Sequence, residues 1–166
     1  MKVLNKEFLH IKHCDDKEYD VHRKRGDKIV VEEFIGDTMT MYLDNSIISY
    51  EGCVSLFRHF EKLEKEAGKE FEYDPFLIYA LYEEYRDFNH FLEENDPYDY
   101  ELEEIKCWTN SPSYPHIETM DELRAATDVI DVKGGEWGDE QFIMKHFGRE
   151  LYRHEQKSLR FIEDKK

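Results

Sequence analysis

The chain has 166 residues, 40% apolar and 14% aromatic, enough for one ordinary domain with a real core and too short for two. Its 39 Asp and Glu against 23 Lys and Arg leave a net charge of −16, well beyond the roughly 2 to 8 units that solubility asks of a small domain. That sign excludes direct binding of nucleic acid or of an anionic membrane through the overall field, because phosphates attract cationic surfaces.

In chain order, the opening MKVLNKEFLHIKHCDDK carries charges where a signal peptide needs an apolar stretch. No run in the chain approaches the roughly 18 apolar residues of a membrane span, so a cytoplasmic protein is expected. A strand is predicted around Val3 to Ile11. The segment KIVVEEFIGDTMTMYLD then reads as an N-terminal β-hairpin, Lys28–Ile35 and Thr38–Leu43 flanking a Gly36-Asp37 turn. From Tyr50 the period changes: Cys53, Leu56, Phe57, Phe60, Leu63 and Ala67 recur at helical spacing, with Ser49 as N-cap and Gly68 as C-terminal αL residue. This predicts an amphipathic helix over 50–67.

The apolar run Phe76–Leu81 reads as a buried central strand, and Asp87–Glu94, with Phe88, Phe91 and Leu92 on one face, as a short helix. Residues 110–115 are a loop by composition. Thr119 and Glu122 have the spacing of a capping box for a helix near 120–126. Val129–Val132 and Gln141–His146 form a hairpin around Gly134-Gly135, and a helix over about 148–162 closes the chain. The fold class is α+β, a single domain with a largely antiparallel sheet. Residues 1–48 are its β-rich part, 49–147 its acidic core, and 148–166 the C-terminal helix and tail.

The charge is concentrated. Residues 61–110 hold sixteen acids and five bases, a net of −11, whereas Lys145 to Lys166 has seven bases against four acids. The densest part is the ten acids Glu83, Glu84, Asp87, Glu93, Glu94, Asp96, Asp99, Glu101, Glu103 and Glu104, faced only by Arg86. As one continuous helical surface, residues 83–104 would span about 33 Å, over which a duplex carries on the order of 20 phosphates. Carboxylates at about half that density compete for a partner's Lys and Arg side chains. Tyr82, Tyr85, Tyr98 and Tyr100 are interleaved with the acids and suit an interface core. The rival reading is a solvated acidic face with tyrosines supporting the sheet.

Other chemistry finds less support. Cys14, Cys53 and Cys107 are an odd number with no close pair, fitting free thiols in a reducing compartment. Cys53 falls on the apolar helix face as a core residue. Cys107 with His116 lacks an orienting group. His10 and His13 would point to opposite faces of a strand, away from a shared ion with Cys14. No catalytic or cofactor motif is present, so no enzyme activity, cofactor or metal is expected. Trp137 sits in the Gly134–Gly138 turn, where exposure would favour a partner contact. Arg149, Arg153, Lys157 and Arg160 make a cationic stripe that would pair with the protein's own acids or with a second copy as a homodimer.

One order of features resembles a known group. Tyr50-Glu51-Gly52 opens a helix, Glu72-Tyr73-Asp74-Pro75 precedes an apolar segment, and Tyr82-Glu83-Glu84-Tyr85 leaves it. A short acidic helix and the closing Val129-Ile130 and Phe142-Ile143 strands follow. Over residues 49–147, with a poor match at 108–126, this resembles an uncharacterised family of small acidic proteins of phages and mobile elements. The resemblance implies a phage or mobile-element origin and carries over no catalytic residue. By analogy with antirestriction and anti-CRISPR DNA mimics, the expected function is an inhibitor that binds a basic, nucleic-acid-handling host protein in the bacterial cytoplasm. The alternatives are a structural or adaptor protein of such an element, and a small metal-dependent hydrolase or nuclease.

Overall fold

The computed structural model describes residues 1–3, 7–12, 18–23, 26–41, 48–94, 98–99, 104–105, 117–145 and 162. Strands β1 (Glu7–Lys12) and β2 (Glu18–Arg23) form an antiparallel hairpin with Leu9 opposite Val21. Helices α1 (Val31–Met41), α2 (Tyr50–Ala67) and α3 (Pro75–Leu81) follow, then strand β3 (Tyr82–Tyr85) and helix α4 (Phe88–Glu94). Two-residue strands β4 (Tyr98–Asp99) and β5 (Glu104–Ile105) pair with each other. Helix α5 (Met120–Ala126) and strands β6 (Val129–Asp131) and β7 (Phe142–Lys145) complete the described elements. The central sheet has the order β3-β7-β6 with both pairings antiparallel, as the α+β expectation requires. Among the described residues no helix is long and apolar enough to cross a membrane.

Helix α2 forms for the reasons its sequence announces. Ser49 Oγ accepts from the Gly52 N–H at 3.0 Å, and Gly68 ends the helix at φ +64°, in the left-handed region that glycine enters without penalty. The face so defined buries Cys53, Leu56, Phe57 and Phe60. Helix α5 carries the full capping box: Thr119 Oγ1 accepts from the Glu122 N–H, and Glu122 Oε2 accepts from the Thr119 N–H at 3.0 Å. The β6–β7 hairpin also forms in the expected segments, with Ile130 opposite Ile143 and the Val132 N–H donating to the Gln141 carbonyl.

Three expected strands, both arms of one hairpin and the central strand, fall in two helices. Residues 31–41, read as arms of a Gly36-Asp37 hairpin, form α1, because Phe34, Asp37 and Thr38 recur at helical spacing and are all buried. Phe34 lies 5.3 Å from Phe57, 6.3 Å from Phe60 and 6.5 Å from Tyr73, ring centre to ring centre, while the Tyr73 hydroxyl donates to Asp37 Oδ2 at 2.7 Å. Burial against α2 outweighs the β preference of Val31, Ile35 and Thr38. Residues 76–81, read as a central strand, are helical because Asp74 accepts from the Leu77 N–H at 3.0 Å and Pro75 presets the first helical φ. The strand expected around Val3 to Ile11 is β1, at Glu7–Lys12, and its hairpin partner is β2, which was not expected.

The larger core cluster packs α1, α2 and α3 with Val3, Ile29 and Ile143. A smaller one gathers Tyr85, Phe91, Leu123, Phe142 and Met144 on the other side of the sheet strands. The expected C-terminal helix over 148–162 lies outside the described residues, except that the Ile162 N–H donates to the Glu70 carbonyl at 2.7 Å. The stripe Arg149, Arg153, Lys157 and Arg160, the loop at 110–115, and Cys14, Cys107, His13 and His116 also lie outside them.

Candidate functional site

Residues 83–104 do not form one helical surface: their described parts are strand β3, helix α4 and the short strands β4 and β5. The pairing of β3 with β7 turns Tyr82, Glu84 and Tyr85 of the acidic-aromatic segment inward. Tyr82 and Tyr85 are buried. Tyr82 stands edge-on to Phe60 at 5.5 Å, and burial, with Asp128 adding to it, pushes its phenol ionisation far up. Tyr85 packs on Phe91 at 5.4 Å and Phe142 at 5.6 Å while its hydroxyl donates to Glu83 Oε2 at 3.0 Å. These two tyrosines support the sheet and the second core cluster, so the expectation that they meet a partner is corrected.

Glu84 also leaves the proposed surface, being only 5% exposed. Its carboxylate accepts from the backbone N–H of Ser49, from the Ser49 hydroxyl at 2.9 Å, and from the side-chain amide of Gln141. An anion there faces the N-terminus of the 18-residue α2, where unsatisfied N–H groups and the helix dipole favour negative charge. Gly52 makes the approach possible, since a Cβ at that position would lie 2.7 Å from Glu84 Oε2. Gln141, 1% exposed, extends the network: its Nε2 also reaches Ser49 Oγ at 3.4 Å, and its Oε1 accepts from the Trp137 N–H at 3.2 Å. Gly135 leaves room for that amide, because a Cβ there would fall 2.0 Å from Gln141 Oε1.

Burial holds the Glu84 carboxyl above its ordinary range; the hydrogen bonds from Ser49 and Gln141 oppose that rise, and Glu51 adds to it. A carboxyl that keeps its proton more tightly in the folded chain gives stability that is fullest below the ordinary Glu value near 4.5 and declines as pH rises through the folded value. Unfolding free energy followed by urea titration is therefore expected to fall more steeply above pH 4.5 in the native chain than in Glu84→Gln. Parallel profiles would show that Glu84 titrates in the folded chain as it does in the unfolded one.

Of the remaining acids of the segment, Glu93 and Glu94 face outward and Glu83 and Asp87 are partly buried. Asp87 caps α4, accepting from the His90 N–H at 2.8 Å, and its carboxyl is held below the usual range by that bond first and by Arg86 beside it. Glu93 and Glu94 are exposed, with Glu94 Oε1 3.8 Å from His90 Nε2, and Glu83 is half-buried. Asp99 and Glu104 are paired across β4–β5, which sets two acids opposite each other in register. Tyr98 pairs with Ile105 on the same strands. Asp96, Tyr100, Glu101 and Glu103 lie outside the described residues.

For nucleophilic chemistry the described part offers little. Cys53 is buried and its thiol is pushed up to about 12, chiefly by burial and further by Glu84, which keeps it protonated. Among the described residues no three His, Cys, Asp or Glu side chains gather as a metal set. The Glu84-Ser49-Gln141 network was not foreseen from the sequence. Ser49 was legible as a helix cap, whereas Gln141 carried no signal beyond its place at a strand start.

Fold and site together define a small α+β protein with an outward acidic face on α4 and a buried carboxylate joining α2, β3 and the β6–β7 loop. Compared with protein-family models, curated proteins and solved structures, the chain matches none.

Proposed function

We propose that the chain is an acidic inhibitor of phage type that binds and occludes a basic, nucleic-acid-handling host defence protein in the bacterial cytoplasm, its carboxylates standing in for phosphates. The observation that carries this reading is the concentration of charge, a net of −11 over residues 61–110. Glu93 and Glu94 display part of it outward on α4, which Asp87 caps and the buried Phe91 anchors. Resemblance to small acidic phage and mobile-element proteins supplies the host-defence setting.

The test is a pull-down from host lysate with the native chain and with Asp87→Asn/Glu93→Lys/Glu94→Lys. Asparagine at 87 keeps the cap on α4 while removing its charge. A captured basic protein is expected to be released at least about tenfold more readily on raising salt from about 50 to about 200 mM, and to be bound at least about tenfold more weakly by the variant. Equal retention at both salt concentrations, or by both proteins, would sink the phosphate-mimic mechanism.

A further inference from the structure

We propose that Trp137 and Tyr50 form a second, preorganised contact surface that receives an arginine-bearing segment of the partner protein. The inference rests on the reading of the chain as a binder of basic protein, and adds a site outside residues 83–104. Among the described residues three large apolar side chains stand exposed: Val30 at 50%, Tyr50 at 58% and Trp137 at 47%. One buried side chain lies between two of them, touching the backbone of Trp137 and the side chain of the residue before Tyr50. Gln141 takes the Trp137 N–H on its oxygen and reaches Ser49, the residue before Tyr50, through its nitrogen.

The loop holding Trp137 is fixed rather than loosely draped. Gln141 is buried and is held at its far side by Glu84. Gly138 turns back to the Gly135 carbonyl at 3.2 Å, with Gly134 at φ +70° and Gly138 at φ +101°, conformations that favour glycine. An indole has 150–250 Å² or so to bury, yet the hydrogen bonds fix the backbone around it and leave about half of the residue in solvent. A partner docking there has no loop to order, which removes one of the main costs of association.

Charge selects the occupant. Glu136, Asp139 and Glu140 are exposed around Trp137 and Glu51 follows Tyr50, whereas Lys133 is the loop's only base between residues 132 and 140. Asp131, at the end of β6, is engaged by Arg124. An aromatic face flanked by carboxylates suits a guanidinium, which stacks flat on indole or phenol while its N–H groups reach the acids. Trp, Tyr and Arg are also the residues that most often dominate interface energetics.

The full chain, Trp137→Ala, Trp137→Phe and Glu93→Lys/Glu94→Lys would be titrated with a fluorescently labelled oligo-arginine peptide by anisotropy, with light scattering to give the mass of each protein. Trp137 meets Gln141 through its backbone N–H, so both ring substitutions leave the network intact. Trp137→Ala is expected to weaken binding about tenfold and Trp137→Phe clearly less, because an aromatic face survives. Unchanged affinity in Trp137→Ala together with loss in Glu93→Lys/Glu94→Lys would overturn this surface and leave the acidic-face reading standing. No binding by the native chain would overturn both. A native dimer that becomes monomeric in Trp137→Ala would make a second copy the occupant, and would overturn the assignment to a partner protein.

Discussion

Glu84→Ala is expected to destabilise the fold by about 3 kcal/mol, a large share of the 5–15 kcal/mol by which domains are ordinarily stable. The substitution leaves the Ser49 N–H without its acceptor and the Gln141 amide with only its 3.4 Å contact to Ser49 Oγ. Each such buried donor costs on the order of 1–3 kcal/mol. It also removes an anion from the start of α2, worth roughly 0.3–1 kcal/mol and more where buried. Working against these losses, the variant no longer has to bury a carboxylate, whose desolvation already holds its proton affinity up. That relief keeps the net cost near the lower end of the summed losses. For a chain of this size the thermal midpoint should fall by roughly 6–12 °C. A fall under about 2 °C would mean that water replaces the carboxylate and that the network contributes little.

The same substitution should reach the Trp137 loop, since Gln141 holds that loop only while its own amide is held by Glu84 and Ser49. The buried acid thus connects the stability of α2 with the presentation of an exposed aromatic.

What could be read in advance followed locality. Helices α2 and α5 announce themselves through caps within three residues, Ser49 to Gly52 and Thr119 to Glu122, and the β6–β7 hairpin through two apolar runs around glycines. Helix α1 was hidden because Gly36-Asp37 between β-branched residues imitates a turn. What decides it is Phe34 meeting Phe57 and Phe60, and Asp37 meeting Tyr73, contacts between distant parts of the chain. For α3, the Asp74-Pro75 pair was a legible helix start, masked by the apolar run after it. The acidic segment was legible as charge but not as orientation. Tyr85 turns inward because Phe142 and Phe91 lie there, and Glu84 because Ser49 and Gln141 do. Hydrogen bonds spanning 35, 57 and 92 positions leave no periodicity to detect.

The close approach of Gly52 and Glu84 gives a prediction that separates the steric part of this network from the electrostatic part. Gly to Ala inside a helix ordinarily gains about 0.5–1 kcal/mol. At Gly52 the added Cβ would stand 2.7, 2.8 and 2.9 Å from Oε2, Oε1 and Cδ of Glu84. The end of a glutamate usually swings aside at little cost, but here three hydrogen bonds from Ser49 and Gln141 hold it, and moving it breaks them. Gly52→Ala is therefore expected to cost about 2–3 kcal/mol in the native background, the loss of one or two buried hydrogen bonds less the helical gain. In the Glu84→Ala background the obstructing carboxylate is gone, and the same change should be neutral or stabilising by up to about 1 kcal/mol. Urea denaturation of the four proteins closes the cycle, with a coupling of about 3 kcal/mol between two side chains in direct contact. Equal destabilisation in both backgrounds would place the conflict with the α2 backbone, and would mean that Gly52 is not there to admit the acid.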